Sequence, residues 1–387
     1  MPLVRMVRAP HILFAGGGTG GHVYPAIAIA DAVRRLMPDA VIDFAGTRDR
    51  MEWEAVPRAG FPIHGITISG FHRGQPLRNV TLPLKLIRAM LESRKLVRRI
   101  APDVAVGTGG YVSGPVLLAA DLMGTPIVIQ EQNARAGWTN RILGKRASRI
   151  HIAFEEARKG FPSDRCVYSG NPTRRELFDV DQKAGKAYYD LPEEAFVIAV
   201  LGGSLGSRAI NDALAAHVDE LLADEDVHLI WQSGKRYVDE LRSRVPDRPR
   251  LYLLEYIDRM DMTYAAADLA VCRAGAITCS ELMVTGTPSL LIPSPNVAED
   301  HQTHNARSMA AAGAAVMIPE HEMEDDLLPT IRRLRGDREH LARMTSAARR
   351  IARPEAADAI AADVLRLAGV EIDGTDPSDA LIAKKYE

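Results

Sequence analysis

HILFAGGGTGGHVYPAIAIADAVRRL, residues 11–36, is the stretch that decides the fold of this chain. The apolar run from Ile12 to Ala15 predicts a buried parallel strand, and the six residues from Gly16 to Gly21 predict a tight turn into a helix. Apolar side chains then recur at helical spacing, and they are Val23, Ile27, Ala30, Val33 and Met37. Pro25 is tolerated in a first helical turn. Strand, glycine-rich loop and amphipathic helix in this order predict the opening unit of a doubly wound α/β domain.

The glycine-rich loop is predicted to bind an anion. Glycines permit positive φ and close backbone approach, and the N–H groups at a helix N-terminus attract phosphate or another anion. His22 stands in the first helical turn, where the positive end of the dipole favours the neutral imidazole, a form able to accept a proton. His22 is therefore either a general base or a residue that only caps the helix.

The same loop matches a dinucleotide fingerprint. Gly16, Gly18 and Gly21 satisfy G-x-G-x-x-G, and Asp43 follows about 20 residues later at the end of a second apolar run. The Gly-Lys-Ser/Thr ending of a nucleoside triphosphate loop is missing, which disfavours hydrolysis of ATP or GTP. An NAD-dependent dehydrogenase is one alternative, but it leaves the later loops at 202–206 and 273–281 without a role.

Length and composition indicate a globular protein of two domains. The chain has 387 residues, of which 47% are hydrophobic and 25% charged, which is more than one core usually covers. A net charge of -2 argues against a dedicated nucleic-acid binder. The three cysteines, Cys166, Cys272 and Cys279, form no C-x-x-C pair and suit reduced thiols in the cytoplasm. The sequence contains no signal-peptide pattern and no run of about 18 uncharged apolar residues, so it is not predicted to span a membrane.

The stretch from Phe71 to Ile100 is basic and amphipathic. It contains eight Lys or Arg residues and one acid, Glu92, interleaved with more leucine and isoleucine than the packing of one helix needs. Basic amphipathic segments lie on anionic bilayers. The alternative is a surface helix with a buried apolar stripe and solvated charges. The sequence favours peripheral contact with a membrane here.

Two further turns follow predicted strands in the first half. The strand at 102–107 leads into TGGYVSGP at 108–115, a second glycine-rich loop that could hold another anion. The strand at 126–130 ends in Glu131, Gln132 and Asn133. Ligands of parallel sheets bind outside the carboxyl ends of the strands. Three polar turns at one sheet edge therefore predict a ligand site rather than turn chemistry alone.

The architecture restarts after the connection at 169–174. A strand at 195–201, the loop GGSLG at 202–206 and a helix at 207–218 repeat the opening unit and predict a second, similar domain. A later strand and turn lead into a helix at 276–284, whose first-turn amides face a ligand. Glu281 lies one turn deeper, where a carboxylate suits the paired hydroxyls of a sugar.

No metal site is predicted. Glu299 to Asn305 form a polar loop before a helix at 306–313, and the His301 and His304 pair within it has no convincing third ligand. Asp224 and Asp226 have the D-x-D spacing of metal-dependent sugar-nucleotide enzymes. They lie between a helix end and a strand, where a solvated acidic loop is the ordinary interpretation.

With these motifs described, the chain resembles the MurG family. Seven motifs carry the resemblance in the family's order between about Ile12 and Gly369, and they are GGGTGGH, GGYVSGP, EQN, GNPTR, GGSLGS, RAGAITCSE and EDHQTHNA. The resemblance implies a GT-B fold of two Rossmann-like domains that face each other across a cleft. It implies an acceptor-binding, membrane-associating domain at 1–172, a UDP-GlcNAc-binding domain at 173–370 and a polar tail at 371–387.

The activity implied by the resemblance is an inverting transfer of N-acetylglucosamine. UDP-GlcNAc would be the donor, and the acceptor would be the 4-hydroxyl of undecaprenyl-diphosphate-linked N-acetylmuramoyl pentapeptide at the cytoplasmic face of the plasma membrane. No metal or other cofactor is expected. His22 would be the base, and Glu131 and Tyr111 would have acceptor-binding or proton-relay roles. The implied donor contacts are Thr19, Gly20, Gly21, Asn133, Arg174, Ser204, Ile257, Ala276, Ile277, Thr278, Cys279, Ser280, Glu281 and Gln302.

Two alternatives besides the dehydrogenase stay open. Another UDP-sugar enzyme of two domains, a glycolipid synthase or a UDP-GlcNAc 2-epimerase, would have a similar donor half, although the GGYVSGP loop argues against both. A peripheral membrane scaffold that kept the fold and lost catalysis is the other. The presence of His22, Glu281 and Gln302 argues against that scaffold.

Overall fold

The computed structural model describes residues 8–68, 82–178, 180–203 and 205–371. Its contacts divide the chain into two compact units. Among the described residues, the first unit consists of those up to Pro172 together with 355–371, and the second unit is Thr173–Pro354. Each unit contains one parallel sheet with helices between the strands, so the prediction of two doubly wound α/β domains is confirmed.

Within the described residues, the sheet of the first unit has seven strands in the order β3-β2-β1-β4-β5-β6-β7, with every pair parallel. The strands are β1 (His11–Gly16), β2 (Val41–Gly46), β3 (Ile63–Gly65), β4 (Val104–Gly109), β5 (Ile127–Glu131), β6 (Arg149–Ile152) and β7 (Cys166–Tyr168). The winding reverses between β1 and β4. The loops after these two strands are therefore adjacent at the carboxyl edge, where open parallel sheets bind ligands.

Helices join the strands of the first unit. In the described residues they are α1 (Gly20–Leu36), α2 (Glu52–Arg58), α3 (Leu82–Ile100), α4 (Ser113–Leu122), α5 (Trp138–Gly144) and, after the second unit, α14 (Ala356–Leu367). The basic segment predicted at 71–100 is described only from residue 82, where α3 begins. The predicted polar tail is described only at residue 371.

The predicted second domain extended too far along the chain. Helix α14 belongs to the first unit, because Ile360, Ala361, Val364 and Leu365 are buried in one apolar cluster with residues of β1 and α1. Arg35 on α1 also forms an ion pair with Asp358 on α14. The assignment of 355–370 to the second domain is therefore wrong. An amphipathic helix packs on whichever sheet face completes its burial, and sequence order does not identify that face.

The second unit repeats the topology with six parallel strands in the order β10-β9-β8-β11-β12-β13. The strands are β8 (Phe196–Leu201), β9 (Val227–Gln232), β10 (Leu251–Leu254), β11 (Leu269–Cys272), β12 (Ser289–Leu291) and β13 (Ala315–Met317). The described helices are α6 (Gln182–Tyr188), α7 (Arg208–Leu221), α8 (Val238–Arg244), α9 (Met260–Ala266), α10 (Ala276–Thr285), α11 (His301–Ala311), α12 (Met323–Gly336) and α13 (Arg338–Ile351). The reversal of winding lies between β8 and β11.

The polar stretch at 299–305 is mostly helical and is not the predicted loop. Glu299 and Asp300 have φ of 54° and 53°, and α11 begins at His301. Two consecutive residues in the left-handed region complete the turn, so the polar residues that follow form the first turns of the helix. Gln302 is consequently a helical residue.

Candidate active site

His22 lies in the first turn of α1, beside the loop that follows β4. Its Nδ1 is 3.0 Å from the carbonyl oxygen of Thr108 and 3.1 Å from Oε1 of Gln132. The Thr108 hydroxyl donates to the carbonyl of His22 at 2.7 Å, which fixes the helix start against β4. Two oxygens therefore lie within hydrogen-bond distance of Nδ1.

The second glycine-rich loop fits closely around this histidine. Gly109 has φ of 107°, and a Cβ at this position would lie 2.7 Å from Nδ1 of His22. Gly110 has φ of 81°, and a Cβ there would lie 2.2 Å from the carbonyl oxygen of Gly17. These two glycines are therefore required for the two loops to pack against each other, in addition to any ligand that the loops bind.

One amide of the first glycine-rich loop already has a protein carboxylate as its partner. The fully buried Glu52 on α2 accepts from the N–H of Gly18 at 3.0 Å and from the N–H of Thr47 at 3.0 Å. Sequence reasoning missed Glu52, because no motif connects this residue with a loop more than thirty positions earlier. The expectation that the loop binds an anion therefore rests on its other amides.

Glu131 is buried at the end of β5 and organises the loop after it. One carboxylate oxygen accepts from the backbone and side chain of Asn133 at 3.0 and 3.3 Å. The other accepts from the N–H of Gly137 at 3.0 Å and from Asn140 at 2.8 Å. These four contacts indicate that Glu131 holds Asn133 in place. Tyr111, by contrast, is 57% exposed on the β4 loop.

In the second unit, a pocket of about 130 Å³ lies at the carboxyl edge of the sheet. Three predicted donor contacts line it, and they are Ile257, Thr278 and Glu281. Six lining residues were not predicted as contacts, and they are Leu201, Gly203, Gln232, Tyr256, Met260 and Tyr264. The pocket therefore brings together residues from the ends of β8, β9, β10 and α10, at the reversal of strand order.

Glu281 is held from two sides. Its Oε1 accepts from Nη2 of Arg174 at 3.0 Å, and its Oε2 accepts from the hydroxyl of Tyr264 at 3.0 Å. Burial, together with the Glu281 charge, raises the pKa of Tyr264 well above its ordinary value, so the phenol stays a donor. Although burial opposes it, Glu281 also raises the pKa of Arg174. The carboxylate is thus fixed in direction by these two donors and lines the pocket.

Gln232 shapes the opposite wall. Its Oε1 accepts from the N–H of Ile257 at 2.9 Å, and its Nε2 donates to the carbonyl of Gly203 at 3.0 Å. This side chain therefore connects the loop after β8 to the loop after β10. Its position at the last residue of β9 was the only signal that the sequence offered.

Within α10, only part of the predicted contact run faces the pocket. Thr278 and Glu281 line it. Cys279 is fully buried, burial raises its pKa well above the ordinary value, and the Ser280 hydroxyl donates to the carbonyl of Ala276 at 3.0 Å. The helical period turns these two side chains into the core, so a side-chain contact of either with a ligand is not supported.

Gln302 and Ser204 are two further predicted donor contacts. Gln302 accepts from the N–H of Ser294 at 2.9 Å and thereby holds the loop after β12. Ser204 lies outside the described residues. Thr19, Gly20 and Gly21 form the start of α1 in the first unit, with Thr19 at its N-cap.

Asp43 does not take the place that a dinucleotide site requires. It lies in the middle of β2, and its two carboxylate oxygens are each 2.6 Å from a ring nitrogen, Nε2 of His11 and Nε2 of His64. Burial raises the pKa of Asp43, but the two histidine hydrogen bonds outweigh burial and hold that pKa below its ordinary value. Asp43 is therefore a structural residue, which removes the main support for the dehydrogenase alternative.

The two aspartates with D-x-D spacing have other partners. Asp224 and Asp226 form ion pairs with Arg335 at 2.6 and 2.5 Å. Among the residues that the structure describes, no group of three or more His, Cys, Asp or Glu side chains is arranged to hold a metal ion.

The chain matches known proteins over both units. The glycosyltransferase family 28 N-terminal domain matches residues 12–152, and the glycosyltransferase family 28 C-terminal domain matches residues 197–361. A Salinibacter ruber protein named UDP-N-acetylglucosamine--N-acetylmuramyl-(pentapeptide) pyrophosphoryl-undecaprenol N-acetylglucosamine transferase is 57% identical over 93% of this chain and 98% of its own length. A Christiangramia forsetii protein of the same name is 44% identical over 92% of this chain and 97% of its own length.

A solved structure agrees with these relatives. The crystal structure of Acinetobacter baumannii MurG superposes with a TM-score of 0.77 at 30% identity, and the match covers 92% of this chain and 99% of that one. With matches of this extent, the chain belongs to the MurG family of glycosyltransferases and has the GT-B fold.

Proposed function

We propose that this chain transfers N-acetylglucosamine from UDP-GlcNAc to the 4-hydroxyl of undecaprenyl-diphosphate-linked N-acetylmuramoyl pentapeptide, the conversion of lipid I to lipid II in peptidoglycan synthesis. The observation that carries the proposal is the 57% identity, across nearly the whole chain, to a relative whose name states this transfer. A basic histidine nitrogen in one unit and a pocket with a fixed carboxylate in the other supply the chemical groups that the reaction needs.

The proposed chemistry is a single inverting displacement. His22 removes the proton from the muramoyl 4-hydroxyl through Nε2, and that oxygen forms a bond to the anomeric carbon of GlcNAc. The bond from the anomeric carbon to the diphosphate breaks, and UDP leaves with the electron pair. The contacts at Nδ1 of His22 support this role, because they make Nε2 the nitrogen that accepts a proton.

The donor is proposed to bind mainly in the second unit. Glu281 would accept from paired sugar hydroxyls, and the first-turn amides of α10 would contact the diphosphate, together with Arg174. Ile257, Gln302, Thr19 to Gly21 and Asn133 are the remaining proposed contacts. Since Arg174 and a helix N-terminus can stabilise the departing charge, no metal is required in this scheme.

The acceptor diphosphate is proposed to bind at the glycine-rich loops at 16–21 and 108–115. Gly18, Gly109 and Gly110 have positive φ, which lets both loops turn tightly at this edge of the sheet. The N–H of Gly18 already donates to Glu52. The amides at the start of α1 are therefore the better candidates for this anion, since the helix dipole adds to them.

Helix α3 is proposed to hold the first unit on the anionic cytoplasmic face of the plasma membrane. Leu84, Ile87 and Leu91 are 70%, 60% and 64% exposed and lie on one face at helical spacing. Exposed basic side chains follow on the same helix, and they are Arg94, Lys95 and Arg98. Apolar insertion plus attraction to anionic lipid gives peripheral binding. Among the described helices, none is long and apolar enough to cross a membrane.

The test of the proposed function is transfer of labelled GlcNAc to a muramoyl-pentapeptide-diphosphate-lipid acceptor. The purified full chain should form the product from UDP-GlcNAc at the same rate with and without EDTA, with a β linkage by NMR. UDP-glucose and an acceptor without the muramoyl 4-hydroxyl serve as controls and should give no product. Binding of UDP without any transfer would contradict the proposed acceptor.

A further inference from the structure

We infer that Gln132 is a positioning residue, which sets the tautomer of His22 through a buried chain of side-chain amides. The amide chain consists of Gln132, Gln130 and Asn171, all of them at most 2% exposed. The inference rests on the proposed function only for its catalytic consequence, because it concerns the state of the imidazole itself. Neither Gln132 nor Asn171 has another role in the proposed mechanism.

The orientation of the far end of the amide chain is fixed by a backbone carbonyl. Nδ2 of Asn171 lies 3.0 Å from the carbonyl oxygen of Gln132, which can only accept. Oδ1 of Asn171 must therefore face Gln130, and it accepts from Nε2 of Gln130 at 2.8 Å. This leaves Oε1 of Gln130 as the atom that faces Gln132.

The orientation of Gln132, at the near end of the amide chain, is fixed in the same direction. Nε2 of Gln132 is surrounded by three oxygens, which are the carbonyl of Thr108 at 2.6 Å, the carbonyl of Gln130 at 3.1 Å and Oε1 of Gln130. Only the NH₂ group of Gln132 can occupy that position. Its Oε1 therefore faces His22. The contacts at both ends of the amide chain thus require the same orientation of the side-chain amides.

The orientation of Gln132 determines which ring nitrogen of His22 carries the proton. Oε1 of Gln132 lies 3.1 Å from Nδ1 of His22, and the Thr108 carbonyl lies 3.0 Å from the same nitrogen. An unprotonated Nδ1 would place three lone-pair acceptors together in a buried setting. Nδ1 must therefore donate, and Nε2 is unprotonated in the neutral ring. An amide does here what a carboxylate does when it holds a histidine tautomer in other enzymes.

The experiment is nitrogen NMR of the full chain labelled with ¹⁵N-histidine, in which two-bond couplings to the ring protons distinguish the tautomers. His22→Ala identifies the His22 signals. At neutral pH the wild type should show a protonated Nδ1 and an unprotonated Nε2. An Nε2–H ring in the wild type would overturn the inference, even if every variant failed to fold.

Gln132→Met removes the acceptor and the donor while it keeps the side-chain length. It should populate the second tautomer and lower kcat about tenfold or more, with KM for UDP-GlcNAc changed by about twofold or less, because a misplaced ring proton impairs the base. Gln232→Met is the matched control at the end of β9. It should raise that KM and leave the His22 signals unchanged, because Gln232 holds the donor pocket.

The outcomes separate the inference from the proposed function. A wild-type tautomer and a wild-type kcat in Gln132→Met would overturn the role of Gln132. If His22 is protonated on Nδ1 but His22→Ala keeps full turnover, the base is wrong and the tautomer assignment is supported.

Discussion

Tyr264 is the residue whose removal most directly probes the carboxylate of the donor pocket. In Tyr264→Phe, Oε2 of Glu281 loses its buried donor, while the ring keeps its packing. Because a hydrogen bond to a charged group contributes about 1.5–3 kcal/mol, we expect UDP to bind about tenfold more weakly or worse. Calorimetric titration with UDP and with 2′-deoxy-UDP measures the effect. The preference for UDP should fall, because Glu281 is no longer fixed toward the paired hydroxyls.

Tyr189→Phe is the matched control for this prediction. Its hydroxyl is also buried and lies 2.7 Å from Oγ1 of Thr263 on α9, but Tyr189 does not contact Glu281. The control should keep the preference for UDP over 2′-deoxy-UDP. An unchanged preference in Tyr264→Phe as well would show that Tyr264 has only a packing role.

At the scale of single residues, the sequence pointed to groups in and beside loops as site candidates and did not point to the residues that contact and hold them. His22, Ile257 and Thr278 stand in turns or first helical turns, which glycines and strand ends mark, and Glu281 lies one turn deeper. Glu52, Gln132 and Tyr264 act through contacts with residues far away in the chain. Only the packing of strands brings those pairs together, and local sequence patterns do not predict that packing.

At the scale of a single element, we predict that the exposed apolar face of helix α3 binds to lipid vesicles. Replacing Leu84, Ile87 and Leu91 together by Ser removes the exposed apolar face and leaves the buried face intact. Burial of one apolar side chain of this size is worth about 1.5–3 kcal/mol, so we expect the triple variant to bind vesicles about tenfold more weakly or worse. Sedimentation with phosphatidylglycerol-rich vesicles measures it. Leu36→Ser, on the exposed end of α1, should bind like the wild type.

Two results would contradict the role of α3. Equal vesicle binding by the triple variant would place the contact surface elsewhere. Equal binding to neutral and anionic vesicles would contradict the contribution of the basic side chains, because that attraction requires negative lipid and is screened by salt.

Helices and strands were predictable where the hydrophobic period and the turn residues indicated the same boundaries. The strand expected at 195–201 is observed as Phe196–Leu201. The start of α11 was missed, because the polar residues at 301–305 resemble a loop and the turn before them uses two non-glycine residues with positive φ. Helix α14 lies within the stretch that was assigned to the second domain, but the unit on which it packs depends on a long-range contact.

At the scale of the whole molecule, the free energy of unfolding should depend on pH because one histidine is buried. His151 on β6 is buried, and burial together with Arg149 lowers its pKa from 6.5 to about 3. Asp363 on α14 lies 3.5 Å from His151 but also pairs with Arg149 and Arg366, so its charge does not offset the burial. Between these pH values the unfolded chain binds a proton that the folded chain does not. Acidification therefore destabilises the fold.

Urea unfolding at pH 7 and pH 5 tests this linkage. The wild type should lose about 2 kcal/mol more stability than His151→Gln over that interval, because each pH unit below 6.5 contributes about 1.4 kcal/mol. His321→Gln, at an exposed histidine, should follow the wild type. Parallel pH profiles for the wild type and His151→Gln would contradict a buried neutral histidine.

Duplication of one topology is the feature of the whole molecule that the sequence revealed best. The repeat of strand, glycine-rich loop and helix at 12–36 and 195–218 predicted two similar sheets, and both have the central order 3-2-1-4-5. The return of the chain to the first unit was not predicted, because the break at Pro354 resembles an ordinary interruption between helices.

The central claim is that His22 of the first unit supplies the base while UDP binds mainly in the second unit. The most direct measurement compares turnover and UDP affinity in the wild type and His22→Ala on the same preparations. We predict a loss in kcat of about a hundredfold or more, the ordinary contribution of a general base, with the Kd for UDP changed by about threefold or less. Full turnover in His22→Ala would contradict the account.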